Sequence, residues 1–363
     1  MISYHLLGGH KQLNEIVFAG SHDAGITGGG GNVQTQDYQI GTQAYFGVRV
    51  FDLRIAAATL PDYHGMGKEA EMRTFHADKK FTTSATKDRY LQDVGRDETI
   101  KRTKLRAGAW GVTLAKVLAD ARGFVKHMSP SEFLILKFDK STNCHLIAEA
   151  CVDELGDAIY TGGGNVNTKT LDELAGRVIV AFTPEGFEQA RKANFGPAQG
   201  IVCIKNLASG GAYDPHFVGL QYYGKGGTAW YNPFDKIGQN VKNQRKLMKK
   251  GANTSPEVMG MMYWTTTGLT GNIRQRNDTM WTTAQKRALG ELWNEGLWGS
   301  IQERMASHVS GKFQHQGPIL KAFMPNMVMI DFADAEKCRT IYELNRVAAV
   351  DLTLAAGVLD PFA

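Results

Sequence analysis

The chain has 363 residues, with 41 Lys and Arg against 36 Asp and Glu and 43% apolar residues. This composition excludes a disordered or fibrous protein, and the modest net charge of +5 gives no ground for nucleic acid as a partner. Four cysteines lack CxxC spacing, which excludes a structural zinc or CxxC redox motif; Cys144 and Cys151, about 10 Å apart on one helix, are beyond disulfide reach. The amino terminus has no basic stretch leading into a sustained apolar run, and no window approaches the ~20 apolar residues that span a bilayer. A soluble chain is expected, with a mature secreted form favoured over a cytoplasmic one.

Taken in order, short apolar runs alternate with helical periodicity from end to end. The runs are Glu15 to Ala19, Val48 to Ile55, Arg73 to His76, Phe133 to Asp139, Arg177 to Phe182, one within Ile201 to Tyr223, Glu257 to Thr265, and Met327 to Phe332. Between them, Leu114, Val117, Leu118, Ala121 and Val125 recur at helical spacing behind Thr113 as N-cap, and Thr283 to Ser307 and Ala333 to Val350 read as helices. About eight strands, each followed by a crossover, predict an α/β chain folded as one TIM-type βα barrel over residues 1–363. The polar segments Ala56 to Met72 and Ala77 to Gly111 are too long for simple crossovers and read as loop insertions at the carboxyl face of the strands. An open doubly wound sheet is the alternative, but no GxGxxG turn follows the first strand, which excludes a dinucleotide site.

Chemistry concentrates at strand ends. The first run closes as EIVFAGSHDAG, so His22 and Asp23 emerge beyond its carboxyl end, where barrels place catalysis. In GVRVFDLRI, alternation puts Val48, Val50, Asp52 and Arg54 on one face and Arg49, Phe51, Leu53 and Ile55 on the other. An acid and a guanidinium on an apolar strand form either a structural ion pair or a site. MRTFHAD supplies His76, and in PNMVMIDFAD the carboxylate of Asp331 stands alone among apolar neighbours. If the first and last strands are neighbours, Asp331 accepts from His22 and fixes its tautomer. Two histidines, an arginine and orienting carboxylates fit general acid and base catalysis on a phosphodiester, with no activated serine or cysteine nucleophile in view.

The order GSHDAG, QAYFGVRVFDLR, a strand-end His, SPSEFLILKFD and a late VMIDF resembles the X-domain of the phosphatidylinositol-specific phospholipases C, over Asn14 to Arg346. The resemblance implies that His22 is the general base on the inositol 2-hydroxyl and His76 the general acid for the diacylglycerol oxygen. Asp331 would orient His22, Asp23 would orient His76, and Asp52 and Arg54 would hold the phosphate, giving a lipid alcohol and a cyclic inositol phosphate. His64, in YHGMG, rivals His76 as the acid. Lys137, Tyr222, Tyr223 and Trp264 are the candidates for contact with the substrate, while the fifth run, RVIVAFTPEG, lacks the basic residue that metal-free members use on inositol.

Calcium is a second question raised by the resemblance. Calcium-dependent members carry an acid where Arg54 stands, whereas metal-free bacterial members carry Arg there and Lys at the fourth strand. This chain pairs Arg54 with Asp139 at that fourth position, so Asp23, Asp52 and Asp139 are the alternative Ca²⁺ ligands and metal independence is favoured. A basic run, Lys242, Arg245, Lys246, Lys249 and Lys250, together with Trp230, Trp293 and Trp298, reads either as a membrane-facing surface or as a solvated helix face, and Tyr222, Tyr223, Trp230 and Tyr231 read either as a stacking face for a sugar ring or as a packed loop. The expected partner is a phospholipid at a membrane surface, met by a monomer with no protein partner. A lysophospholipid or glycan-linked inositol lipid as substrate, or a headgroup-binding domain without catalysis, are the competing readings.

Overall fold

The structure is a computed structural model that describes residues 1–58, 71–77, 81–87, 99–105, 108–225, 243, 257–266, 272–281 and 325–348. Its strands, in chain order, are β1 (Phe18–Ser21), β2 (Val48–Leu53), β3 (Ile55–Ala58), β4 (Glu71–His76), β5 (Phe81–Lys87), β6 (Thr99–Leu105), β7 (Ala109–Thr113), β8 (Phe133–Phe138), β9 (Arg177–Phe182), β10 (Ile201–Asn206), β11 (Gly219–Lys225), β12 (Met259–Trp264) and β13 (Met327–Ile330). Eight of them close a parallel barrel in the order β1-β13-β12-β11-β10-β9-β8-β2. A TIM-type α/β barrel is therefore the architecture, as the alternating pattern predicts.

Strand alternation divides the core in two. Phe18, Val50, Ile135, Ile179, Ile204, Leu220, Met261 and Met329 fill the interior. Phe51, Leu53, Leu136, Val180, Met262 and Val328 face outward under helices such as Leu114–Gly123 and Cys144–Leu155. Both strand faces are apolar because both are covered, which is why these runs read as continuous rather than alternating. Thr113 caps its helix by accepting from the Lys116 amide at 3.2 Å. All four cysteines are buried free thiols.

Several strand assignments change in the folded chain. The run at Arg73 to His76 is a strand but not a barrel strand: β4 pairs antiparallel with β3 and β7 in a separate sheet, ordered β5-β6-β3-β4-β7. The two polar segments read as loop insertions thus contain strands. Their Thr, Ser and Lys content hides them from apolar patterning, since a largely antiparallel sheet outside the barrel needs no continuous hydrophobic run. The single run expected within Ile201 to Tyr223 is two barrel strands, β10 and β11, joined through the short turn Leu207–Ser209 with no α-helix between them. One strand lost and one gained keep the barrel at eight.

The face assigned to Val48 is also corrected. The β1–β2 register shifts between Ala19, opposite Val48, and Gly20, opposite Val50. This bulge turns Val48 to the outer core while Val50 points inward. The carboxyl-terminal helical stretch is Ala335–Glu343 followed by Asn345–Ala348. The helix expected over 283–307, the rival acid His64, the basic residues Lys242, Arg245, Lys246, Lys249 and Lys250, and the aromatics Trp230, Tyr231, Trp293 and Trp298 lie outside the described residues. Among the described residues no helix is long and apolar enough to cross a membrane.

Candidate active site

The motif GSHDAG is shaped by its surroundings. Gly20 faces the barrel interior, where an added Cβ would lie 2.3 Å from Met329 Sδ and 2.6 Å from Val50 Cγ1. Gly25 passes so close to Thr74 that a Cβ there would lie 2.4 Å from its methyl carbon. This close approach lets β4 and β7 clamp the loop: Thr74 Oγ1 donates to the Gly25 carbonyl at 3.1 Å, and the Val112 amide donates to the same oxygen at 3.0 Å. Between the glycines, Asp23 has φ of +42°, a left-handed conformation uncommon for a non-glycine residue. The turn aims its carboxylate back over the barrel mouth.

His22 continues β1 beyond Ser21, its amide donating to the Ile330 carbonyl at 3.0 Å. Because β1 and β13 are neighbours, Asp331 follows directly on the adjacent strand, and its Oδ1 lies 2.9 Å from His22 Nδ1. A carboxylate can only accept, so Nδ1 carries the proton and Nε2 faces the mouth. Buried Gln36 ties the two strand ends together by donating to the carbonyls of His22 (2.9 Å) and Ile330 (3.2 Å) and accepting from the Ala333 amide (3.0 Å).

The inserted sheet brings His76 to the same place. Its Nδ1 is 2.6 Å from Asp23 Oδ2, and that same oxygen lies 3.5 Å from His22 Nε2. Asp23 Oδ1 lies 3.0 Å from Arg54 Nε, an ion contact whose angle falls short of a hydrogen bond. Two imidazoles from distant parts of the chain and one guanidinium therefore meet around a single buried carboxylate. Asp52 stands next to this group without touching it. In register with Lys137 on β8, it accepts from Lys137 Nζ at 2.8 Å and from the Tyr263 hydroxyl at 3.0 Å.

The electrostatics follow from this crowding. Burial alone would disfavour an imidazolium at His22, but Asp23 and Asp331 outweigh it and raise its pKa to about 9. Burial likewise opposes charge on Asp23, yet His22, Arg54 and His76 hold it well below the usual carboxylate range. At Asp331 burial prevails over the His22 and Asn277 contacts and the shift is upward. The buried Asp52 and Lys137 stabilise each other as ions against the cost of burial, Asp52 shifting down and Lys137 up.

The remaining candidates separate by strand parity. Tyr222 faces the interior, and Tyr223, on the opposite face of β11, is half-buried. Trp264 is fully buried in the outer core, so it faces away from the mouth and does not reach a substrate there. Its neighbour Tyr263 takes the inner position instead, its ring edge-on to His22 with centroids 5.7 Å apart. Both residues sit in an apolar run, and only the register of β12 decides which of the two points inward. Gln36 and Asn277 carried no sequence signal, since each acts through contacts distant in the chain.

Asp139 does not occupy the fourth-strand position assigned to it. β8 ends at Phe138, and the inward side chain is Lys137; Asp139 lies just beyond, 3.6 Å from Lys137 Nζ. This matters for calcium. Asp23 spends its two oxygens on Arg54 and His76, and Asp52 spends its two on Lys137 and Tyr263. With two fixed cations among them, Asp23, Asp52 and Asp139 do not fit a divalent ion, which needs several free oxygens converging on one point. Among the described residues no group of three or more His, Cys, Asp or Glu is arranged to hold a metal.

Comparison with known proteins places the fold. A phosphatidylinositol-specific phospholipase C of S. aureus is similar at a TM-score of 0.51 and 16% identity, over 95% of this chain and 96% of that one. One from Listeria monocytogenes gives 0.47 at 15% identity, covering 92% and 94%, and a calcium-dependent phosphoinositol-specific enzyme of a Pseudomonas species gives 0.40 at 11%, covering 71% and 85%. No protein-family model and no curated protein matches the chain. The chain shares the barrel fold of the S. aureus phospholipase C; at this identity the likeness defines architecture and leaves activity to the chemistry of the site.

Proposed function

We propose that this chain, acting as one catalytic unit, cleaves the phosphodiester of phosphatidylinositol-type lipids by general acid and base catalysis. The observation that carries the reading is the convergence of His22 and His76 on one oxygen of Asp23, with Arg54 at the other. His22 Nε2 removes the proton of the inositol 2-hydroxyl, whose oxygen attacks phosphorus. His76, anchored through Nδ1, gives a proton from Nε2 to the departing diacylglycerol oxygen, so a diacylglycerol and a cyclic inositol phosphate leave. Arg54 neutralises charge growing on the phosphoryl oxygens. Asp331 and Asp23 hold the two rings, and Asp52 keeps Lys137 charged at the pocket wall. The substrate is met at a membrane surface.

One observation favours a second headgroup. The inner face of β9 ends in Ile179 and Ala181, so no charged side chain from that strand reaches the pocket, and the sugar grip falls to Lys137 and Tyr222. A glycan-linked inositol lipid or another phospholipid therefore stands as the alternative substrate. Phosphatidylinositol vesicles followed by ³¹P NMR decide between them: a cyclic phosphodiester signal is expected, absent with His22→Ala or His76→Ala. A phosphomonoester as first product, or no turnover by folded protein, overturns the proposal.

A further inference from the structure

Asp331 is held from two sides. His22 Nδ1 reaches its Oδ1, and the side-chain amide of Asn277 donates from Nδ2 to its Oδ2 at 3.1 Å; Asp331 and Asn277 are both fully buried. The orientation of that amide follows from donor chemistry. The Thr266 amide can only donate and lies 3.3 Å from Asn277 Oδ1, while the carbonyls of Ile273 (3.0 Å) and Thr266 (3.4 Å) can only accept and lie against Nδ2. The nitrogen is thus turned toward the carboxylate. The helix Ile273–Trp281 that carries Asn277 is itself fastened beside the mouth. The Ile273 amide donates to the Gly31 carbonyl at 2.8 Å, Arg274 pairs with Asp37, and the Arg274 guanidinium lies 4.1 Å over the ring of Phe332, the residue after Asp331.

A buried carboxylate with one oxygen unsatisfied would rotate toward another donor or take up a proton, and either change would misalign His22. We infer that Asn277 is a positioning residue for the acid and base reaction, fixing the plane of the Asp331 carboxylate so that His22 presents Nε2 to the attacking hydroxyl. The inference rests on the reading of His22 as the base. The groups facing His22 are Asp331, Asp23, Asp52, Arg54, Tyr263 and, across the shared Asp23 oxygen, His76; Asn277 acts on it only through Asp331.

The test has one arm without substrate and one with it. In the free protein, the deshielded His22 Nδ1 proton is observed by ¹H NMR and identified by its loss in Asp331→Asn. Asn277→Leu and Asn277→Asp, the latter nearly the shape of the amide and able to keep the Thr266 contact, are expected to shift or abolish that resonance. On phosphatidylinositol the same variants are expected to lower kcat by about 10²-fold with KM unchanged, the usual scale for a reacting group misplaced by about an ångström. With Asn277 itself unchanged, its side-chain amide resonances are expected to move on Asp331→Asn, a measurement that does not depend on either Asn277 variant folding. Unchanged His22 and Asn277 resonances overturn the inference, as does unchanged kcat in a folded variant. If the protein turns over no phosphatidylinositol but the resonances shift, the lipid reading fails while the positioning contact stands.

Discussion

Two arginines lie at the two ends of β2, Arg49 fully buried and Arg54 partly exposed, and their surroundings differ. Arg49 uses all three of its nitrogens within the protein: Nε donates to Glu132 Oε2 at 2.8 Å, Nη1 to the carbonyls of Ala44 and Val48, and Nη2 to that of Ile2. Its guanidinium lies against the rings of Tyr4 and Phe124, and Glu132 accepts further from Ser3 Oγ and the His5 amide. Arg54, at the other end, contacts Asp23 off-angle, and 16% of its side chain remains exposed. An ion pair whose nitrogens all donate within the protein holds elements together; one with nitrogens left over, aimed into a mouth, is ready for an outside anion.

Mutation sharpens this contrast. Glu132→Ala leaves Arg49 charged and unpartnered in the core and is expected to cost about 3–5 kcal/mol of stability, read by urea unfolding, while the protein that remains folded keeps its kcat. Arg54→Ala is expected to do the reverse, lowering kcat by about 10²–10³-fold with a much smaller change in unfolding midpoint. Equal effects of the two substitutions on stability would remove the distinction.

The pH dependence probes the mouth specifically. The pKa of His22 in the folded protein, about 9, lies above its ordinary 6.5. Its contribution to stability is therefore complete below pH 6.5 and is lost as pH rises through about 9, amounting to about 3 kcal/mol, and His22→Asn should flatten the curve. Over the same interval kcat/KM on phosphatidylinositol is expected to rise, because the base must first lose its proton. A smaller effect separates Tyr263 from Trp264. Tyr263→Phe removes a hydrogen bond to Asp52 and is expected to cost about 1.5–3 kcal/mol and to perturb turnover. Trp264→Phe, in the outer core, is expected to leave both kinetic constants unchanged.

The sequence carried the barrel and much of the mouth because both are written in local pattern. Apolar runs mark strands covered on both faces, and His22, Asp23, Asp52 and Asp331 stand out as polar groups at or near strand ends where burial needs a partner. Strand partners and register were decided only by the tertiary structure. The insertion forms a second sheet that delivers His76 from outside the barrel, β12 turns Tyr263 inward and Trp264 outward, and Lys137 rather than Asp139 fills the fourth-strand position. Gln36 and Asn277 entered the same way, through hydrogen bonds to groups hundreds or tens of residues away. Periodicity reports which face of an element is apolar; it holds no information on which distant element closes against that face, and that closure sets where each charge meets its counterpart.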